Sequence, residues 1–92
     1  MQLRDWRKQR KMSAAETARS LGIAGVNPGG TIARIEVGSR RPDADMVQRI
    51  HDLTGGLVSA LDMHETRLAW LRQNRPDRFF SVQAAISMEA AE

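Results

Sequence analysis

The chain contains no cysteine. That excludes a disulfide framework and a thiolate metal site, and a reducing compartment is the simplest setting for it. No apolar run approaches the length of a membrane span, and the charged, amphipathic N-terminus lacks the apolar centre of a secretory signal. A cytoplasmic protein with no membrane partner is therefore expected. At 92 residues, 41% of them apolar, there is room for one compact domain with a modest core and not for a large active-site cavity. A catalytic set is also missing: serines are present, but no nucleophile, base and orienting group can be assembled from their spacing. His51 and His64 fall on different predicted helices, and their acidic neighbours Asp52 and Glu65 point to different helix faces, which argues against a metal site or a catalytic base. No enzyme, no cofactor and no metal are expected.

Acidic residues are scarce in the first half. Up to Arg41 there are nine basic residues against three acids, a balance of +6, whereas the remainder carries five arginines against eight acids, a balance of −3. The positive half favours a polyanion, either nucleic acid or an anionic membrane surface; charge alone also permits a plain solvated face.

Helical periodicity organises most of the chain. Leu3, Trp6 and the aliphatic stem of Arg10 share one face of a first helix, which Met12 leads out of. Ser13-Ala14-Ala15-Glu16 has the capping-box pattern, in which Ser13 accepts from the Glu16 amide and the Glu16 carboxylate reaches back. The short second helix that follows has Ala14 or Ala15, Ala18 and Leu21 on its apolar face, and Gly22 closes it. After the loop Ala24-Gly25-Val26-Asn27, Asn27 is an N-cap and Pro28 a first helical residue, so a third helix with Ile32 and Ile35 inward starts there and ends at Gly38. Asp43-Ala44-Asp45 opens a fourth helix with Met46, Val47, Ile50 and Leu53 on its buried side. A fifth is expected from Ser59, with Leu61, Met63, Leu68 and Leu71, a possible break near His64 and an end at Asn74-Arg75-Pro76. Beyond it, Phe79-Phe80-Ser81-Val82 has strand-like residues and residues 83–90 have helical ones. This end either presents a partner surface, most economically to a second copy, or folds back on its own core.

Two short helices joined by a turn in a basic region make a helix-turn-helix candidate. In order and spacing, Ser13-Ala14-Ala15-Glu16, Leu21-Gly22-Ile23, Thr31 to Gly38 and Arg40-Arg41-Pro42, followed by an amphipathic helix, resemble the Cro/repressor-like (XRE-type) DNA-binding family from about Leu3 to Met63. The resemblance implies an all-α fold: a five-helix Cro/repressor-like helix-turn-helix domain with a C-terminal dimerisation extension. Residues 1–63 would form the DNA-binding domain and residues 64–92 the C-terminal helix and tail that assemble a homodimer. Leu68, Trp70, Leu71, Phe79 and Phe80 are the anchors expected at that seam, although Trp70 can equally serve the core.

The third helix, about residues 28 to 37, would read double-stranded DNA in the major groove. Arg34 aligns with a base-reading position of the family and can donate two bonds to guanine O6 and N7. Thr31 lies one turn earlier on the same face, and Asn27 would reach a base edge if its loop descends into the groove. The family often carries Gln or Ser where this chain has Gly29 and Gly30, which lack a reading side chain but allow close backbone approach to a base edge or phosphate. The connection between Ile23 and the third helix is about four residues longer than usual. Arg40, Arg41 and Ser13 are the expected phosphate contacts, with Ala14 standing where a family Gln often adds another. Arg7 and Glu36 resemble the family's ion pair between the first and third helices.

Three readings follow. The first is a dimeric, sequence-specific transcriptional regulator, repressor or activator, of the kind often found on phages and other mobile genetic elements and acting on nearby genes. The second is a module that grips a protein partner, such as an antitoxin or antiactivator. The third is a nucleic-acid binder without sequence preference, using Arg4, Arg7, Lys8, Arg10, Arg40 and Arg41 only electrostatically.

Overall fold

The computed structural model describes residues 1–77, which form five helices and no strand: α1 (Leu3–Gln9), α2 (Ala14–Ser20), α3 (Pro28–Val37), α4 (Ala44–Leu53) and α5 (Ala60–Asn74). The all-α expectation is met. Residues 78–92, including Phe79 and Phe80, lie outside the described part. No helix among the described residues is long and apolar enough to cross a membrane.

Four of the five helices start on a side-chain cap. Ser13 Oγ accepts from Glu16 N at 3.0 Å, Asn27 Oδ1 from Gly30 N at 3.0 Å, Asp43 Oδ1 from Met46 N at 2.8 Å and Ser59 Oγ from Asp62 N at 3.1 Å. Each bond satisfies an amide that the helix itself leaves unpaired, an effect worth about 1 kcal/mol per cap. The box expected at Ser13 and Glu16 is only half made, because the exposed Glu16 carboxylate does not return a bond to the Ser13 amide. The complete box is at α5, where Ser59 N also donates to Asp62 Oδ2 at 2.9 Å. Asp62 is further bonded by the Met1 ammonium at 2.9 Å, so the start of α5 is tied to the start of the chain.

The ends are as specific. Gly22, at φ +74°, closes α2 with bonds from Gly22 N to Arg19 O and from Ile23 N to Ala18 O, the double pattern of a Schellman cap. That cap turns Ile23 back onto the core and directs the chain into the loop before α3.

The core is a single cluster of Leu3, Trp6, Ala18, Leu21, Ile32, Ile35, Ile50, Val58 and Met63, with Met12, Ala14, Ile23, Met46, Val47 and Leu53 packed against it. Every helix contributes, so burying apolar surface, at about 25 cal/mol per Å², also fixes their relative positions. Leu61 is an exception to the apolar reading of α5: it is exposed, and Met63 alone of that helix is fully in the core. Thr17 and Thr54 are buried polar residues that periodicity did not single out. Thr54 Oγ1 donates to Ile50 O at 2.9 Å and accepts from Val58 N at 3.1 Å, joining the end of α4 to the buried Val58.

α5 is continuous through His64, which settles the open question of a break there. The capping box starts it firmly, and its middle turns pack on α3. Gly38, at φ +92°, ends α3 and makes this approach possible: a β-carbon there would stand 2.5 Å from Thr66 O and 2.9 Å from Trp70 Cβ. Arg67 Nη1 then donates to Gly38 O at 2.8 Å and to Ser39 O at 2.9 Å.

Gly38→Ala is therefore expected to cost about 3 kcal/mol or more, combining backbone strain with a clash against backbone. Gly55→Ala, at φ +63° with nothing near the added carbon, should cost only the left-handed strain of about 1 to 2 kcal/mol. Urea unfolding of the two variants measures the difference. A second expectation concerns acid. The Ser59 amide, then the Met1 ammonium, holds the Asp62 carboxyl at about 2, below its ordinary 3.8. A depressed carboxyl stabilises the fold above its unfolded value and loses that contribution as pH falls through the folded one. Asp62→Asn should therefore flatten the stability loss between about pH 4 and pH 2, read by far-ultraviolet dichroism during acid titration.

Candidate nucleic-acid interface

α2 and α3 meet at their N-terminal ends. Gly29 eases this approach: a β-carbon there would lie 3.3 Å from Ala15 N, tight enough to push the two backbones apart by a few tenths of an ångström, and 3.7 Å from Ala14 Cβ. Gly29 is thus a packing residue of the α2–α3 angle, a role that its position in the sequence did not reveal. Gly30 has a different constraint, since its β-carbon would collide with the Asn27 cap at 2.3 Å from Nδ2.

The same cap commits the first turn of α3. Gly30 N bonds to Asn27 Oδ1, Thr31 N to Asn27 O at 3.3 Å, and Pro28 has no N–H. Of the first-turn amides proposed for close backbone contact, only that of Gly29 is left without a partner in the helix. Asn27 spends its carbonyl oxygen as a cap while remaining exposed, which leaves its amide hydrogens available.

One turn further on, Arg34 is exposed and Thr31 half-buried beside it. Arg34 Nη2 donates to Thr31 Oγ1 at 3.4 Å, a long bond that is readily exchanged for another acceptor. The Arg34 carbonyl gathers the helix end, accepting from Gly38 N at 3.1 Å, Arg40 N at 3.3 Å and Ser39 Oγ at 3.4 Å. Arg40 and Arg41 are exposed, and together with Ala24, Thr31 and Ile35 they line one shallow depression. The loop before α3, the exposed face of α3 and the arginine pair after it thus belong to one surface. Ser13 stands at the start of α2, where its hydroxyl accepts from Glu16 N and keeps a hydrogen to donate.

Glu36 faces the other way. Its side chain is only 5% exposed, and the carboxylate accepts from Arg7 Nε at 2.7 Å and Arg7 Nη2 at 3.1 Å, while Arg7 Nη1 donates to Met12 O at 3.2 Å. Hydrogen bonding to Glu36 raises the Arg7 pKa above its ordinary value, so the guanidinium keeps its charge. The exposed Arg10 lies over the Trp6 ring at 5.5 Å.

A family model for the helix-turn-helix matches residues 3–57, from the start of α1 to beyond the end of α4. The chain belongs to the helix-turn-helix family. Its domain is a DNA-binding domain of the XRE type, which also gives α2 and α3 their usual names as the supporting and reading helices of the motif. No curated protein and no solved structure matches the chain. α5 begins after the matched region.

Among the described residues, no three histidine or carboxylate side chains converge as a metal site would require. His51 Nδ1 does approach Asp52 Oδ1, at 3.4 Å, although the two neighbours were expected to diverge; both are exposed at the end of α4, where neighbouring side chains can bend towards each other. Leu68, Trp70 and Leu71 are half-buried on α5, and Trp70 carries Arg67 over its ring at 4.9 Å. Sequence reasoning missed three contacts to backbone carbonyls: Arg67 at the end of α3, Arg49 Nη1 to Leu21 O at 3.1 Å at the end of α2, and Arg7 to Met12 O. Arg49 and Arg67 lie in the middle of α4 and α5, 28 and 29 residues from the carbonyls of Leu21 and Gly38, so no local signal points to those two bonds.

Glu36→Gln leaves Arg7 largely buried without its counter-charge, and the expected loss is about 3 kcal/mol. The double variant Arg7→Met with Glu36→Leu should recover much of that loss, because no charge is then stranded. Chemical unfolding of the single and double variants measures both.

Proposed function

We propose that the protein is a sequence-specific transcriptional regulator that binds an inverted-repeat operator as a homodimer, with α3 in the major groove. The observation that carries this reading is the exposed Arg34, bonded to Thr31 beside the depression that Thr31, Arg40 and Arg41 line, on a helix whose Glu36 is paired on the opposite side; Asp43, which also lines that depression, is engaged through Oδ1 in capping α4. Arg34 discriminates guanine, Thr31 offers a methyl to thymine or a hydroxyl to phosphate, and Asn27 presents its amide hydrogens at the groove edge. Gly29 and Gly30 let the backbone come close at the entry to the groove. Arg40 and Arg41 hold the flanking backbone, and Ser13 adds a bond from α2.

Assembly falls to the C-terminal part of the chain. Leu68, Trp70 and Leu71 retain accessible apolar surface on α5, and Phe79 and Phe80 follow in sequence. Two copies related by a twofold axis would place their reading helices about one DNA turn apart, or a multiple of it. As a small regulator acting near its own gene, it would serve as repressor or activator according to where the operator lies.

The decisive experiment selects preferred duplexes from a random pool and compares wild type with Arg34→Ala on the selected and shuffled sequences. Arg34→Ala is expected to lose about 1 to 3 kcal/mol of discrimination at one guanine per half-site, with little change on shuffled duplex. Equal weakening on every duplex would instead assign Arg34 to phosphate attraction. No effect on any duplex would favour the protein-binding module.

A further inference from the structure

The most exposed large apolar side chain of the described residues is Val26, at 107% relative exposure. A single exposed aliphatic residue is commonplace on a protein surface. Its position gives Val26 a meaning that Leu57 or Leu61, at the start of α5 or just before it, does not share. Val26 sits in the lengthened loop, immediately before the Asn27 cap and two residues ahead of the first residue of α3. Gly25, at φ +120° with open space around it, turns the chain outward at that point. Ala24 of the same loop borders the depression that Thr31, Arg40 and Arg41 line, so the loop belongs to the surface assigned to DNA.

A phosphate backbone offers nothing to an isopropyl group. The major groove does, because each thymine projects a 5-methyl group among otherwise polar base edges. The N-terminal end of a reading helix is the part that meets base edges, so a loop residue just ahead of it arrives at the same depth. The first turn of α3 has glycine at both of its leading positions after Pro28, and Asn27 is engaged in capping. Asn27 has only its amide hydrogens left to offer there, so the first apolar side chain able to touch a base from that end is Val26.

We infer that Val26 is a specificity-determining residue whose methyl groups pack on a thymine 5-methyl at one position of each half-site. The inference rests on the DNA-reading role proposed for α3, and its test separates the two. Starting from the duplex selected by the full chain, each thymine is replaced in turn by deoxyuridine, which removes the 5-methyl alone. Binding is then measured for wild type and for Val26→Ala, a variant that touches no core residue and should keep the wild-type unfolding midpoint. At one thymine, deoxyuridine is expected to weaken wild type by about three- to fivefold, the size of one buried methyl, and to leave Val26→Ala unaffected. An operator whose thymines all show the same methyl effect for both proteins overturns the role of Val26 while keeping α3 as the reader. A chain that selects no duplex at all overturns the regulator reading, and Val26 with it.

Discussion

Glu36 is an acid on the helix that this family brings to a polyanion, and the arrangement of the other elements follows from how its charge is disposed of. Two residues along a helix rotate by about 200°, so Glu36 stands on the side opposite Arg34. There it is bound in a fork by Arg7, and the third guanidinium nitrogen reaches Met12 O at the passage from α1 to α2. One guanidinium thus joins α1, α3 and the entry to α2. Removing both charges from water offsets much of their attraction, so the pair defines where α3 sits more than it adds net stability. The exposed face of α3 keeps its positive charge undiluted.

Glycine sets the approach distance at both ends of α3, mildly at Gly29 and strictly at Gly38. At the N-terminal end Gly29 lets the backbone of α2 come close, and at the C-terminal end Gly38 lets α5 do the same. Between them Ile32 and Ile35 are buried, so the helix is gripped along its inward side and at its two tips. α5 lies beyond the part of the chain that defines the family, yet Arg67 caps α3 and Thr66 and Trp70 lean on Gly38. A helix with an assembly role would therefore be coupled mechanically to the reading surface: displacing α5 disturbs the carbonyls that end α3.

The five helices were legible because their boundaries rest on local chemistry. Asn27-Pro28, Gly22 and Gly38 each combine a cap with a residue suited to it, and apolar spacing between them is regular. Long-range bonds were not legible in the same way. Nothing in Thr54-Gly55-Gly56 says that the threonine hydroxyl will be buried under Val58, because that depends on where α5 returns. The Ser13-Glu16 pattern and the Ser59-Asp62 pattern look alike in sequence, yet only the second closes in both directions. Asp62 is held by a third group, the Met1 ammonium, which comes from 61 residues away. The candidate reading face was partly legible: Arg34 and Thr31 follow from helical spacing, whereas the packing role of Gly29 and the exposure of Val26 required the angle between α2 and α3.

The number of reading groups bears directly on assembly. With glycine at two leading positions of α3, the reading proposed above gives one copy a single bidentate donor, Arg34, supported by Thr31 and short contacts from the loop. Such a donor discriminates by about 1 to 3 kcal/mol, while specific sites typically exceed non-specific ones by about 4 to 10 kcal/mol. One copy of this face falls short of that range or only reaches its lower end. Two copies double the discrimination without any new contact and add the spacing of the half-sites as a further constraint. On the proposed reading, a chain that gives up side chains at the entry to the groove would depend more on a partner, and the packing of α5 against the end of α3 would give that dependence a physical route.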